Sequence, residues 1–143
     1  MIHSHFYITK HHTKWKPGVS EQIYNRFKGY NKGNFNFAPC HLWVAEEGYE
    51  EGIDFIEQKV YAALYDFLEN PEFHNQPTEY VDPSFEHVDG EYICKIVEEI
   101  IESNPRLKST IRKVKQEYID EAVSDPEFLE NVRMYPEKYL EPV

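Results

Sequence analysis

The sequence predicts an α+β fold, a small and mostly antiparallel three-stranded sheet flanked by helices, and three observations carry that prediction. Two strand-like segments, 5–9 and 14–16, stand too close together for a crossover helix, so they pair antiparallel. Apolar residues then recur at helical spacing over 21–30, 51–69 and 90–103. A further strand-like run, 38–45, falls between the first two of these helices.

The elements follow in order. His5-Phe6-Tyr7-Ile8-Thr9 is aromatic and β-branched, as strands are. Lys14-Trp15-Lys16 forms the second arm of a hairpin, which Pro17-Gly18 is expected to break. Ser20 is the expected N-cap of a short helix over 21–30, with Ile23, Tyr24, Phe27 and Tyr30 on its apolar side. The stretch from Gly29 to Asn36 is rich in Gly and Asn and reads as a loop. In the helix over 51–69, Ile53, Ile56, Val60, Leu64 and Phe67 make one face, and Pro71 lies just past its end. Residues 70–90 carry Pro77 and Pro83 and read as loop, with Thr78-Glu79-Tyr80-Val81 as a short edge strand. Ile93, Val97, Ile100 and Ile101 mark a helix over 90–103, and further helices are expected over 106–123 and 126–134.

A chain of 143 residues can bury a core without metal or disulfide staples. Its two cysteines, Cys40 and Cys94, lie in no motif and read as reduced thiols, with one structural disulfide as the alternative. The first residues have no apolar segment of the signal-peptide kind, and no run approaches the roughly 18 apolar residues of a membrane span. A cytoplasmic protein without a membrane partner is the expectation.

Charge is unevenly distributed. The net charge of −11 opposes general affinity for nucleic acid. Residues 1–40 nevertheless hold six basic residues (Lys10, Lys14, Lys16, Arg26, Lys28 and Lys32) against the single acid Glu21, a surplus of five, which leaves −16 for the rest. A basic head suited to a phosphate backbone is thus joined to an acidic body, although scattered surface charge gives such asymmetry as well. His3, His5, His11 and His12 also lie in the head, and they read as exposed polar residues or nucleic-acid contacts in preference to a metal site. Trp15, Tyr24 and Phe35 are candidates for stacking on bases and equally for the core.

Against this background the first part of the chain resembles the GIY-YIG nucleases. His5-Phe6-Tyr7 stands at the first motif and keeps its final Tyr, while Lys16-Pro17-Gly18 stands at the second and keeps its final Gly. Lys16 replaces the usual Tyr, as it does in phage-encoded branches of that superfamily. Arg26 follows Gly18 by eight residues, Tyr30 lies one helical turn on, and Glu57 sits in a helix resembling the Glu-bearing helix of the family. Thr78-Glu79-Tyr80 is similar to an element that ends some phage members. The resemblance covers about residues 4–82. It implies a nuclease core at 1–84, with 85–143 as an acidic helical extension packed on it.

The resemblance further implies an endonuclease, phage- or mobile-element-encoded, that hydrolyses DNA phosphodiester bonds with Mg²⁺ or Mn²⁺. Its catalytic residues would be Tyr7, Lys16, Arg26, Tyr30 and Glu57. Glu57 would bind the metal, since Mg²⁺ prefers oxygen ligands. Arg26 would place its donor fork on the phosphate. Tyr7 would orient or deprotonate water, with Lys16 as the cation that makes it a competent base. Lys10, Lys14, Lys28 and Lys32 would meet the DNA backbone. A second copy of the chain is a further candidate partner. The alternative is a catalytically inactive, acidic interaction protein, a phage inhibitor that mimics DNA and binds a basic host protein.

Overall fold

A computed structural model describes residues 2–70 and 78–142. Its sheet has four strands, β1 His5–His11, β2 Lys14–Ser20, β3 His41–Ala45 and β4 Ile111–Lys113. They run in the order β2-β1-β3-β4, and every neighbouring pair is antiparallel. The α+β class is as expected, with a fourth strand added. Among the described residues seven helices accompany it: α1 Ile23–Tyr30, α2 Glu51–Leu64, α3 Gly90–Glu102, α4 Pro105–Thr110, α5 Ile119–Ser124, α6 Phe128–Met134 and α7 Pro136–Tyr139.

Strand alternation divides the core in two. Phe6, Ile8, Trp43 and Ala45 face α2 and α3, where Ile53, Ile56, Val60, Ile93 and Val97 are buried. Tyr7, Leu42 and Val44 face α1 and the C-terminal helices, packing with Ile23, Phe27, Ile119, Phe128 and Val132. With both faces covered, all five residues of β3 are buried. His5 is buried for the same reason, at 1% exposure, which corrects its expected place at the surface.

Several boundaries differ from expectation. The hairpin does not break at Pro17; β2 runs through it, paired residue for residue with β1 from His5↔Ser20 to His11↔Lys14. The connecting turn is His12-Thr13, with His12 at φ 59, a left-handed conformation that His tolerates better than most residues. Helix α1 starts at Ile23 with Gln22 at its N-cap, because Ser20 Oγ accepts from the Gln22 amide at 3.1 Å and closes a tight turn one step before the helix. Helix α2 ends at Leu64 and passes into a 3-10 turn, Tyr65–Phe67.

The helix expected over 106–123 is replaced by α4, β4, a 3-10 turn Gln116–Tyr118 and α5. Leu107, Ile111 and Val114 do have helical spacing, but Ile111 pairs with Ala45 and the next two residues complete the edge of the sheet. Asn104 caps α4 through its side chain, with Pro105 in the first turn. Of the short edge strand expected at 78–81, a single bridge remains, Leu68↔Val81. Pro71 and Pro77, read as loop markers, lie outside the described residues. Cys40 is half-buried and Cys94 buried, and both are free thiols. Among the described residues no helix is long and apolar enough to cross a membrane.

Candidate functional site

Strand β2 is one edge of the sheet, and most of the candidate residues lie on it or beside it. Tyr7 and Thr9 on β1 pair with Gly18 and Lys16 on β2, so these four share the face covered by α1. The Tyr7 ring packs edge-on against Phe27 of α1 at 5.2 Å. Its hydroxyl meets that of Tyr30 at 2.9 Å. Lys16 donates to the Tyr30 hydroxyl at 3.4 Å, and its ammonium lies 5.7 Å from the centre of the Tyr7 ring. Lys16 is buried along its stem and forms an ion pair with Glu79 at 3.5 Å.

From the other face, α2 packs against β2 and brings Tyr61 to the same edge, with Glu57 one turn earlier on the helix. Tyr61 donates its hydroxyl to the Pro17 carbonyl, and the Val81 amide donates to the Trp15 carbonyl at 2.9 Å. Both carbonyls therefore point away from β1. In an antiparallel ladder the nitrogen of such a residue points outward too. Pro17 thus occupies a position where no ladder donor is lost, which is why a proline is accommodated in this strand.

Gly18 is required by close approach. An ideal Cβ there would fall 2.5 Å from Tyr7 Cζ and 2.6 Å from its hydroxyl oxygen. The Tyr7 ring lies over the glycine and has no other room. Gly18→Ala is therefore expected to lower stability by about 1–3 kcal/mol, the usual cost of overpacking a core. Urea denaturation checks this, and an unchanged midpoint would contradict it.

Electrostatics distinguish the members. Burial, and next the hydrogen bond with Tyr30, push the Tyr7 hydroxyl far above the ordinary phenol range, with Arg26 opposing. Tyr7 is held protonated. Lys16 reaches the Tyr30 hydroxyl rather than that of Tyr7, and the shift of Tyr7 runs away from the range of a base. Burial, then Asp54 and Glu79, push the half-buried Glu57 carboxyl above its usual range, while His3 and Lys16 oppose. Burial also raises Tyr61, followed by the charges of Glu79 and Glu57. Arg26 is exposed on α1, and with Tyr30 it lines an open groove of about 610 Å³ that reaches Leu129 and Glu130 of α6.

The expected backbone-contacting lysines are not part of this cluster. Lys14 is engaged by Glu69 at 2.6 Å. Lys10 lies over the Trp15 ring at 5.5 Å and Lys28 over the Tyr24 ring at 5.7 Å, while Lys32 is exposed in the loop after α1. Two residues that sequence reasoning did not assign join the site, Tyr61 and Glu79. Tyr61 follows Glu57 by four residues on a helix, a spacing that puts both on one face and could have identified it. Glu79 lies in the Thr78-Glu79-Tyr80 element noted for its likeness to phage members, but no spacing gave it a role.

Of the candidate residues, Glu57 is the one carboxylate that could serve a divalent ion. Mg²⁺ takes one or two carboxylates and fills its remaining positions with water and phosphate oxygens. Glu57, crowded by Asp54 and Glu79, is a carboxylate that a cation would relieve. Among the described residues no group of three or more His, Cys, Asp or Glu side chains gathers to hold an ion unaided. No protein-family model matches the chain, and no curated protein and no solved structure matches it either.

Proposed function

We propose that the chain is a cytoplasmic, metal-dependent endonuclease of the GIY-YIG kind, hydrolysing DNA phosphodiester bonds at the β2 edge. The observation that supports this reading is the cluster of Tyr7, Tyr30 and Lys16 at the β2 edge, with Arg26 lining the groove beside Tyr30 and Glu57 one helical turn before Tyr61 on α2. Phosphodiester hydrolysis needs charge stabilisation on the phosphoryl oxygens, a positioned water and help for the leaving oxygen. The exposed guanidinium of Arg26 offers a rigid donor fork to the phosphate. The linked hydroxyls of Tyr30 and Tyr7, with Lys16 beside them, orient the water. Glu57 would hold Mg²⁺ or Mn²⁺, which supplies Lewis acidity toward the phosphate. Tyr7, fully buried, acts through Tyr30 as a positioning residue.

Incubation of the purified protein with supercoiled plasmid, with and without Mg²⁺ or Mn²⁺, tests this reading. Nicking only with metal is the expected result. No cleavage by folded protein would favour the second reading, an inactive acidic protein that binds a basic partner. One observation supports that alternative: α3 presents exposed Glu91, Glu98, Glu99 and Glu102. Its acidity is partly compensated, since Glu102 pairs with Lys108 and Glu91 with His41.

A further inference from the structure

Beside the cluster, at the tip of the β1–β2 hairpin, lies a set of aromatic rings that the hydrolytic chemistry does not use. Phe35 and Phe37 stack on each other with centres 5.3 Å apart and planes 25° from parallel. The His12 ring meets both at 5.2 Å. His11 continues the row, 4.9 Å from Phe37, 5.0 Å from Tyr30 and 6.2 Å from Tyr80. The row thus runs from a solvent-exposed end directly to the Tyr30 hydroxyl that Tyr7 and Lys16 contact.

The loop is built to present these rings. Asn31 donates to the Phe37 carbonyl at 3.0 Å and accepts from the Phe37 amide, which pins the loop at its far end. Gly33 and Asn34 adopt left-handed backbone, at φ 84 and φ 73, immediately before Phe35. Phe35 remains 49% exposed, and His12 is exposed beside it. Lys32 lies in the same loop three residues before Phe35, and Lys10 precedes His11 on β1, while Glu79, beside Tyr80, pairs with Lys16.

We infer that His11, His12, Phe35 and Phe37 form a stacking ledge for unpaired bases, so that the site acts on single-stranded nucleic acid or on an unpaired segment next to the scissile phosphate. The inference rests on the nuclease reading for its chemistry. Bases in a duplex are already stacked and offer only their edges in the grooves, whereas an unpaired base offers a whole π-face. Aromatic rings next to positive charge are the usual platform for such strands, and they tolerate any sequence. A strand stacked on the ledge is led along His11 toward Tyr30, Lys16 and Arg26.

Fluorescence anisotropy with a labelled single-stranded oligonucleotide and the matching blunt duplex, in chelator so that nothing is cleaved, tests the ledge. The wild-type protein is expected to bind the single strand about tenfold more tightly than the duplex. Phe35→Ala is expected to remove about tenfold of single-strand affinity and to leave the duplex unchanged. Because Phe35 is half-exposed, circular dichroism and a melting curve serve to show that the variant stays folded. Equal affinity for both forms, or a Phe35→Ala variant that binds like wild type, overturns the ledge. If plasmid nicking then still requires metal and Arg26, the nuclease reading stands alone. If the single strand binds through Phe35 but is never cut, the ledge stands and the nuclease reading falls. No binding to either form overturns the ledge, and metal-dependent nicking of plasmid then decides the nuclease reading by itself.

Discussion

Glu57→Gln is expected to nick plasmid at least about a hundredfold more slowly than the wild-type chain in Mg²⁺, and Arg26→Ala to lose a similar factor, the usual consequence of removing one preorganised charge from a phosphoryl-transfer site. The two substitutions make a clean pair because neither should unfold the protein. Glu57 lies half-buried near Asp54 and Glu79, and its carboxyl is held above its usual range. A neutral amide of the same size removes that repulsion, so stability should hold or rise slightly while metal-dependent cleavage disappears. Arg26 is exposed on α1 and has no packing role that alanine would forfeit. Plasmid nicking followed on gels, with denaturation curves for both variants, checks the expectation. Wild-type rates in Glu57→Gln would remove the carboxylate from the mechanism.

A second large effect concerns acid stability. His5 is buried, with Nδ1 donating to the Ser20 carbonyl at 3.3 Å and no partner for Nε2. Burial, chiefly, lowers it from 6.5 to about 4, and the nearby Arg133 charge adds to the effect. The folded form therefore resists a proton that the unfolded chain accepts. Its contribution is fully present above pH 6.5 and is lost progressively as pH falls toward 4, where the folded form accepts the proton too. The loss across that window is on the order of 3 kcal/mol. His5→Gln cannot titrate, so the stability difference between wild type and this variant should shift by that amount between neutral and mildly acid pH. Parallel pH profiles from urea denaturation would remove His5 as the cause.

Helices α1, α2 and α3 and the pairing of the hairpin were legible because their signals are local. Ile53, Ile56, Val60 and Leu64 needed only period and composition, and all are buried on α2. Strand β4 was not legible, because Ile111-Arg112-Lys113 has neither length nor alternation and becomes a strand only where β3 offers an edge. The burial of His5 is likewise tertiary: a polar residue at the start of an aromatic strand looks exposed until helices cover both faces of the sheet. Within the candidate site, the spacing of Tyr7, Lys16, Arg26, Tyr30 and Glu57 could be read along the chain. Which hydroxyl Lys16 would reach could not, since that depends on how α1 sits over β2. Glu79 enters from a segment without periodicity; the likeness of Thr78-Glu79-Tyr80 to a phage element drew notice to it, and its ion pair with Lys16 places it.

The outward-facing nitrogen of Pro17 has one more consequence. A strand at the rim of a sheet is a template on which another polypeptide can extend the ladder, and proteins that leave such rims bare tend to associate into aggregates. Here the rim is spoiled at successive outward positions. The Trp15 carbonyl is taken by Val81, the Pro17 carbonyl by Tyr61, and Pro17 has no hydrogen to donate. A recognition surface built on a bare rim is at risk of recruiting its own kind. In this chain Pro17, with Tyr61 and Val81 beside it, closes the β2 rim to a stray strand.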